Sequence, residues 1–214
     1  MEIIRLAGLL PVLALAACHG TGQSNTVVKN DVPTVWKFNF FTPKALPAVV
    51  TFAVIIDADG TVYRFNTLDS TKALHGVIGE WNDSARALSG YWNHLERPPK
   101  YILFCWDSVI DKTVYETHLT VPDSIVEKMQ NPDSVRYPHT TVQIGLAPGG
   151  KVAFWLSGVA QGELSYRIMP SALKTVSGDK LEICKGITRF SNGYEYGKDT
   201  EDFIKGKKYP YGRW

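Results

Sequence analysis

The chain has no apolar stretch long enough to cross a bilayer. Its leading apolar run, Leu6 to Ala17, is broken by Pro11 and falls short of the roughly 20 residues that a spanning helix needs. Charge of one sign is also scarce: 23 Lys and Arg against 21 Asp and Glu leave a formal +2. That near-balance gives no electrostatic basis for binding nucleic acid and no strong pull toward anionic lipid. There are only three cysteines, with no Cys-x-x-Cys, and the five histidines (His19, His75, His94, His118 and His139) never fall at i, i+4. Zinc-protease and zinc-ribbon chemistry are therefore not encoded, and no metal or cofactor is expected. No Gly-x-Ser-x-Gly elbow occurs either, since Ser157-Gly158 lacks a glycine two residues before the serine. Internal repeats and long low-complexity segments are missing. The chain reads as a protein that is not an enzyme.

What is there starts with Leu15-Ala16-Ala17-Cys18. Small residues at both positions before a cysteine, closing a short apolar core, resemble the lipobox of bacterial lipoproteins. That resemblance implies cleavage before Cys18 and acylation of its thiol, which makes Cys18 the lipid-attachment residue and palmitate one of its chains. A single acyl chain holds a protein to a membrane only marginally, whereas several hold it firmly. His19 stands where enteric lipoproteins retained at the inner membrane carry Asp, so an outer-membrane anchor facing the periplasm is expected. Residues 1–17 then form the signal peptide. Residues 18–33, small and polar, form a flexible tether, and 34–214 one globular domain.

Within that domain strand patterns dominate. Trp36 to Phe41 is short and aromatic, and Val49 to Ile56 is β-branched and leads through Asp59-Gly60 into Thr61 to Phe65. Tyr101 to Trp106 and Thr113 to Val121 flank Asp111-Lys112. Thr141 to Leu146 and Lys151 to Ser157 flank Pro148-Gly149-Gly150 and alternate clearly. Leu164 to Met169 and Leu181 to Ile187 are weaker strand candidates. A short helix starts at Pro122-Asp123 and stops at Asn131-Pro132. A second is predicted over Asp83 to Leu95, with Ala85, Leu88, Trp92 and Leu95 on one face. The expected fold class is α+β, mostly antiparallel β hairpins with one or two short helices.

Three apparent motifs dissolve on inspection. Gly145 to Lys151 matches the first seven positions of a P-loop, but Val152 replaces the Mg²⁺-binding hydroxyl and the next residues alternate as a strand. Asp57-Ala58-Asp59-Gly60 lacks the remaining carboxylates of a calcium loop. His94, Glu96 and Asp107 can be assembled only on paper. Cys105 and Cys184 leave two outcomes open: an oxidising periplasm favours a disulfide, while the apolar run around Cys105 would equally bury a free thiol.

The run Gln143 to Gly158, the Cys105-Trp106-Asp107-Ser108 strand, Tyr115-Glu116-Thr117 and the stretch from Leu119 to Met129 resemble a family of bacterial lipoproteins catalogued as a domain of unknown function. Its members are similar to proteins encoded beside type VI secretion lipase effectors, and the resemblance implies an immunity protein. The expected partners are a secreted lipase effector and, through the anchor, the membrane. The alternative is a structural or assembly lipoprotein of the outer membrane. Aromatic residues beside charges supply the candidate contact positions: Trp81, Asp83, Tyr91 and His94, with Tyr194, Glu195, Tyr196 and Asp199 in the tail.

Overall fold

Alternation along the strands decides the architecture. A computed structural model describes residues 35–43, 46–66, 81, 93–131, 139–157, 164–187, 202, 204–209, 211 and 214. Its strands are β1 (Trp36–Phe41), β2 (Ala48–Asp57), β3 (Val62–Asn66), β4 (His94–Leu95), β5 (Pro99–Ser108) and β6 (Thr113–Thr120), then β7 (Thr141–Ala147), β8 (Lys151–Leu156), β9 (Tyr166–Ile168) and β10 (Ala172–Ser177). They build two five-stranded sheets, ordered β4-β1-β7-β8-β9 and β10-β6-β5-β2-β3. The second is wholly antiparallel. In the first, β1 and β7 run parallel, with Phe38 opposite Val142 and Phe40 opposite Ile144.

The core lies between the sheets. Trp36, Phe38 and Phe40 of β1, Val142, Ile144 and Leu146 of β7, and Phe154 and Leu156 of β8 meet Ile102, Phe104, Trp106 and Leu119 from the antiparallel sheet. Phe40 and Phe104 touch across the gap at 4.9 Å between ring centroids. Burying tryptophan requires a partner for its N–H. Trp106 donates to Thr117 Oγ1 at 3.0 Å and Trp36 to the Met129 carbonyl at 3.3 Å. The second bond ties β1 to α1 (Asp123–Gln130), which buries Val126 and Met129.

Each hairpin follows from its turn residues. Asp57 Oδ1 accepts from the backbone N–H of Asp59 and Thr61, its Oδ2 accepts from Tyr63 Oη, and Gly60 takes φ +84°. The carboxylate thus serves the turn itself. Gly149 and Gly150 both adopt positive φ, the conformation that a tight β7–β8 connection demands. Near Val50 and Phe52 the β2–β5 register shifts, and Thr51 Oγ1 donates there to the Cys105 carbonyl.

Three expectations need correction. The fold is mostly β rather than α+β: two sheets carry the structure, and α1 spans a single short stretch of eight residues. The helix expected over 83–95 fails at its end, where His94 and Leu95 pair with Lys37 and Trp36 as strand; 83–92 lie outside the described residues. Leu181 to Ile187 forms no strand, following a 3-10 turn (Gly178–Lys180) as irregular chain. Among the described residues no helix is long and apolar enough to cross a membrane.

Candidate partner-binding surface

The outer faces of the two sheets are fastened differently. On the antiparallel sheet, alternation sends Tyr115, Thr117 and Leu119 inward and Glu116 and His118 outward. Cys105 also faces outward and is joined to Cys184 by a disulfide, with Cα atoms 5.5 Å apart. That link lays residues 181–187 over the sheet and leaves Glu116 only 1% exposed. Its Oε2 accepts from the backbone N–H of Glu182 and Cys184, at 3.0 and 2.8 Å. Its Oε1 lies 2.7 Å from His118 Nε2, and His118 Nδ1 lies 2.6 Å from Tyr101 Oη. Burial pushes the Glu116 carboxyl up, but the donors from Cys184, His118 and Glu182 together outweigh it and hold it below its ordinary value. Burial also raises the Tyr101 phenol, helped by the Glu116 charge. A chain of Tyr, His and Glu looks like a proton relay. Here one carboxylate oxygen holds the backbone of the 182–184 segment and the other meets His118, so the chain clamps that segment to the sheet.

On the mixed sheet the device is aromatic. Trp81 packs edge-on against Trp155 at 5.8 Å, and Phe41 lies 5.1 Å from the same ring. The Arg167 guanidinium sits 5.7 and 5.3 Å over the Trp81 and Trp155 rings. Gly145 makes this possible: a Cβ there would stand 2.7 Å from Trp155, 2.8 Å from Trp81 Nε1 and 2.9 Å from Phe41. Trp81 is therefore half-buried packing on β8. His94 is exposed on β4, at the far edge of the same sheet, so the two are not brought together. Asp83, Tyr91, Tyr194, Glu195, Tyr196, Asp199 and Cys18 lie outside the described residues.

At one end of the molecule two turns are laced together. Asp111 Oδ2 accepts from Tyr115 Oη at 2.7 Å and from the Gly149 N–H at 2.6 Å, while Trp214 Nε1 donates to the Pro148 carbonyl at 3.1 Å. Burial, then the bond to Asp111, drives the Tyr115 phenol strongly upward. Beside them opens a cavity of about 350 Å³ lined by Tyr115, Gly149, Gly150, Thr175, Val176, Ser177 and Lys180. Among the described residues no three of His, Cys, Asp and Glu are grouped to hold a metal ion.

Among the described residues one flank is open. Met169 is 81% exposed and Leu164 61%, with Tyr166 and Leu173 also out in solvent. These residues belong to or adjoin β9 and β10, the strands that end their sheets on this side. Sequence reasoning did not find β10, because Ala172–Ser177 buries none of its residues fully and shows no apolar run.

Residues 23–212 match a family described as "Protein of unknown function (DUF2931)". No curated protein and no solved structure matches the chain.

Proposed function

The chain belongs to the DUF2931 family of proteins of unknown function, and from that premise we propose an envelope lipoprotein that acts by binding another protein. The partner fitted best by this reading is a lipase effector delivered to the periplasm, which the protein neutralises as an immunity factor. Cys18 carries the acyl anchor at the outer membrane, and the polar segment after it lets the domain reach the effector. The observation that supports a binding role is the open flank of β9 and β10. Leu164, Tyr166, Met169 and Leu173 are all exposed within the one stretch 164–173, and exposed apolar surface that gathers into a patch marks an interaction site. The Cys105–Cys184 disulfide is in keeping with an oxidising compartment outside the cytosol. A stable complex would bury roughly 800 Å² on each partner.

The test is a competition between sibling cells. Deleting the gene sensitises a strain to neighbours that deliver a lipase effector encoded beside it, and the full chain restores survival. The purified pair forms a one-to-one complex in the nanomolar range. Unchanged survival of the deletion strain, together with no complex at micromolar concentrations, overturns the immunity reading. A pull-down that instead recovers an envelope-assembly component makes the protein a structural lipoprotein.

A further inference from the structure

Resting on the reading that this protein works by binding another, we propose that the free edge of β10 and the cavity at its C-terminal half form one groove. An extended segment of the partner pairs there as an added strand and sets a carboxylate against Lys180.

The edge comes first. Among the described residues β10 pairs with β6 alone, from Ala172 opposite Thr120 to Ser177 opposite Tyr115, and ends its sheet. In an antiparallel edge strand about half of the backbone N–H and C=O groups point away from the sheet, a ready template for another strand. Proteins usually blunt such edges with proline, a bulge or several charges. β10 contains no proline, its register with β6 is unbroken, and its single charge is Lys174.

The inner face of the same strand is unfinished. Leu173, Thr175 and Ser177 stand opposite Leu119, Thr117 and Tyr115, which are buried. Leu173 is nevertheless 42% exposed, and Thr175 and Ser177 are only half-buried. Among the described residues the other sheet reaches this strand at Gly150, where a Cβ would stand 3.3 Å from Thr175, and leaves Leu173 uncovered. Side chains at alternate positions of an added strand would point into the gap, as in β-strand addition generally.

The cavity gives the groove its chemistry. At about 350 Å³ it lies at the small end of ligand pockets and suits one side chain or a chain end. Among the described residues Lys180 is the one charged residue in its lining and makes no ion pair. The nearby Asp111 carboxylate stands behind the wall, tied to Tyr115 and Gly149. Ser177 and Thr175 add hydroxyls, the latter shared with Thr117 Oγ1 at 3.0 Å. A cation with adjacent hydroxyls recognises a carboxylate, from either an acidic side chain or a C-terminus.

Fluorescein-labelled peptides titrated into the full chain in detergent test this. Three eight-residue probes alternate Thr and Val: one ends in a free carboxylate, one in Glu with an amidated terminus, one in Gln with an amidated terminus. At least one carboxylate probe binds about tenfold more tightly than the Gln probe, and which one does so identifies the source. Lys180→Gln removes that preference, and methylating alternate backbone nitrogens of the better probe abolishes binding. Equal affinity for all three probes overturns the proposal, as do no binding at millimolar concentration and an unaltered preference in Lys180→Gln. So does indifference to N-methylation. A concentration-dependent dimer that closes the edge with a second copy would overturn it too. Cells expressing Lys180→Gln separate this claim from the immunity reading. If deletion sensitises cells while that variant protects fully, the groove fails and immunity stands.

Discussion

Replacing Cys184 with Ser should cost this domain a third or more of its stability. The disulfide joins positions 79 residues apart. A loop of that length removes chain entropy from the unfolded state worth about 4.5 kcal/mol at 25 °C. Total stabilities of single domains are about 5–15 kcal/mol. A second cost follows locally. Glu116 draws two of its hydrogen bonds from Glu182 and Cys184, so a segment released from Cys105 leaves a buried carboxylate short of donors. The assay is urea unfolding of the oxidised protein, the reduced protein and Cys184→Ser. Reduction and substitution should lower the midpoint alike and shift Tm down by roughly 10–15 °C for a domain of this size. The slope against urea should rise as well, because the unfolded chain is no longer cross-linked. A midpoint that reduction moves by less than the equivalent of about 1 kcal/mol would refute the reasoning. So would two free thiols titrated in the unreduced, denatured protein.

Two other outcomes follow from the structure and one from the sequence. Gly145→Ala forces a methyl against Trp155, Trp81 and Phe41 and should destabilise by about 1–3 kcal/mol, with a change in near-ultraviolet circular dichroism from the displaced indoles. Glu116 has its folded pKa lowered, so its contribution is full above the ordinary value of 4.5 and is lost as pH falls below that through the folded value. Glu116→Gln should flatten the acid limb of stability measured by urea unfolding between about pH 5 and 2, and an unchanged slope would reject the clamp. Cys18→Ser should abolish incorporation of labelled palmitate and release the protein from the membrane fraction, and continued incorporation would remove the lipobox from the argument.

The hairpins were legible because turn chemistry and alternation agree at each of them. Asp57 and Gly60 make one turn, Gly149 and Gly150 another, and the flanking strands alternate over the core. The parallel pairing of β1 with β7 was not legible. Nothing local in Trp36–Phe41 specifies a partner about a hundred residues later, and hairpin patterns alone suggest antiparallel neighbours. Helical spacing misled at 94–95, because Leu95 is buried in either geometry and pairing with Trp36 decides between them. Leu181 to Ile187 is only partly apolar for packing: Leu181 and Cys184 cover Phe52, Leu103 and Cys105 on the outer face, while Ile183 and Ile187 are exposed. Trp81 shows the limit for sites. An aromatic residue beside polar ones reads alike whether it is a free anchor or is seated on a sheet, and the residue that seats it, Gly145, is adjacent in space but far away in the sequence.

The fastenings of this sandwich are unevenly placed, and that unevenness is what makes β10 the informative strand. One outer face is clamped by a disulfide and a buried carboxylate, the other by a glycine-seated aromatic stack, and one end by the Asp111 bonds and Trp214. Each device needs several residues of defined type, and each removes surface from solvent. β10 stands in unbroken register with β6, yet of its inward positions Leu173 is exposed and Thr175 and Ser177 are only half-buried. A fold optimised only for stability would gain by burying Leu173, since each buried leucine contributes about 1.5–3 kcal/mol. Leaving it out on a strand whose outer edge is free among the described residues, and whose far half lines a cavity with a lysine that makes no ion pair among them, is the arrangement expected where burial is completed by a second molecule.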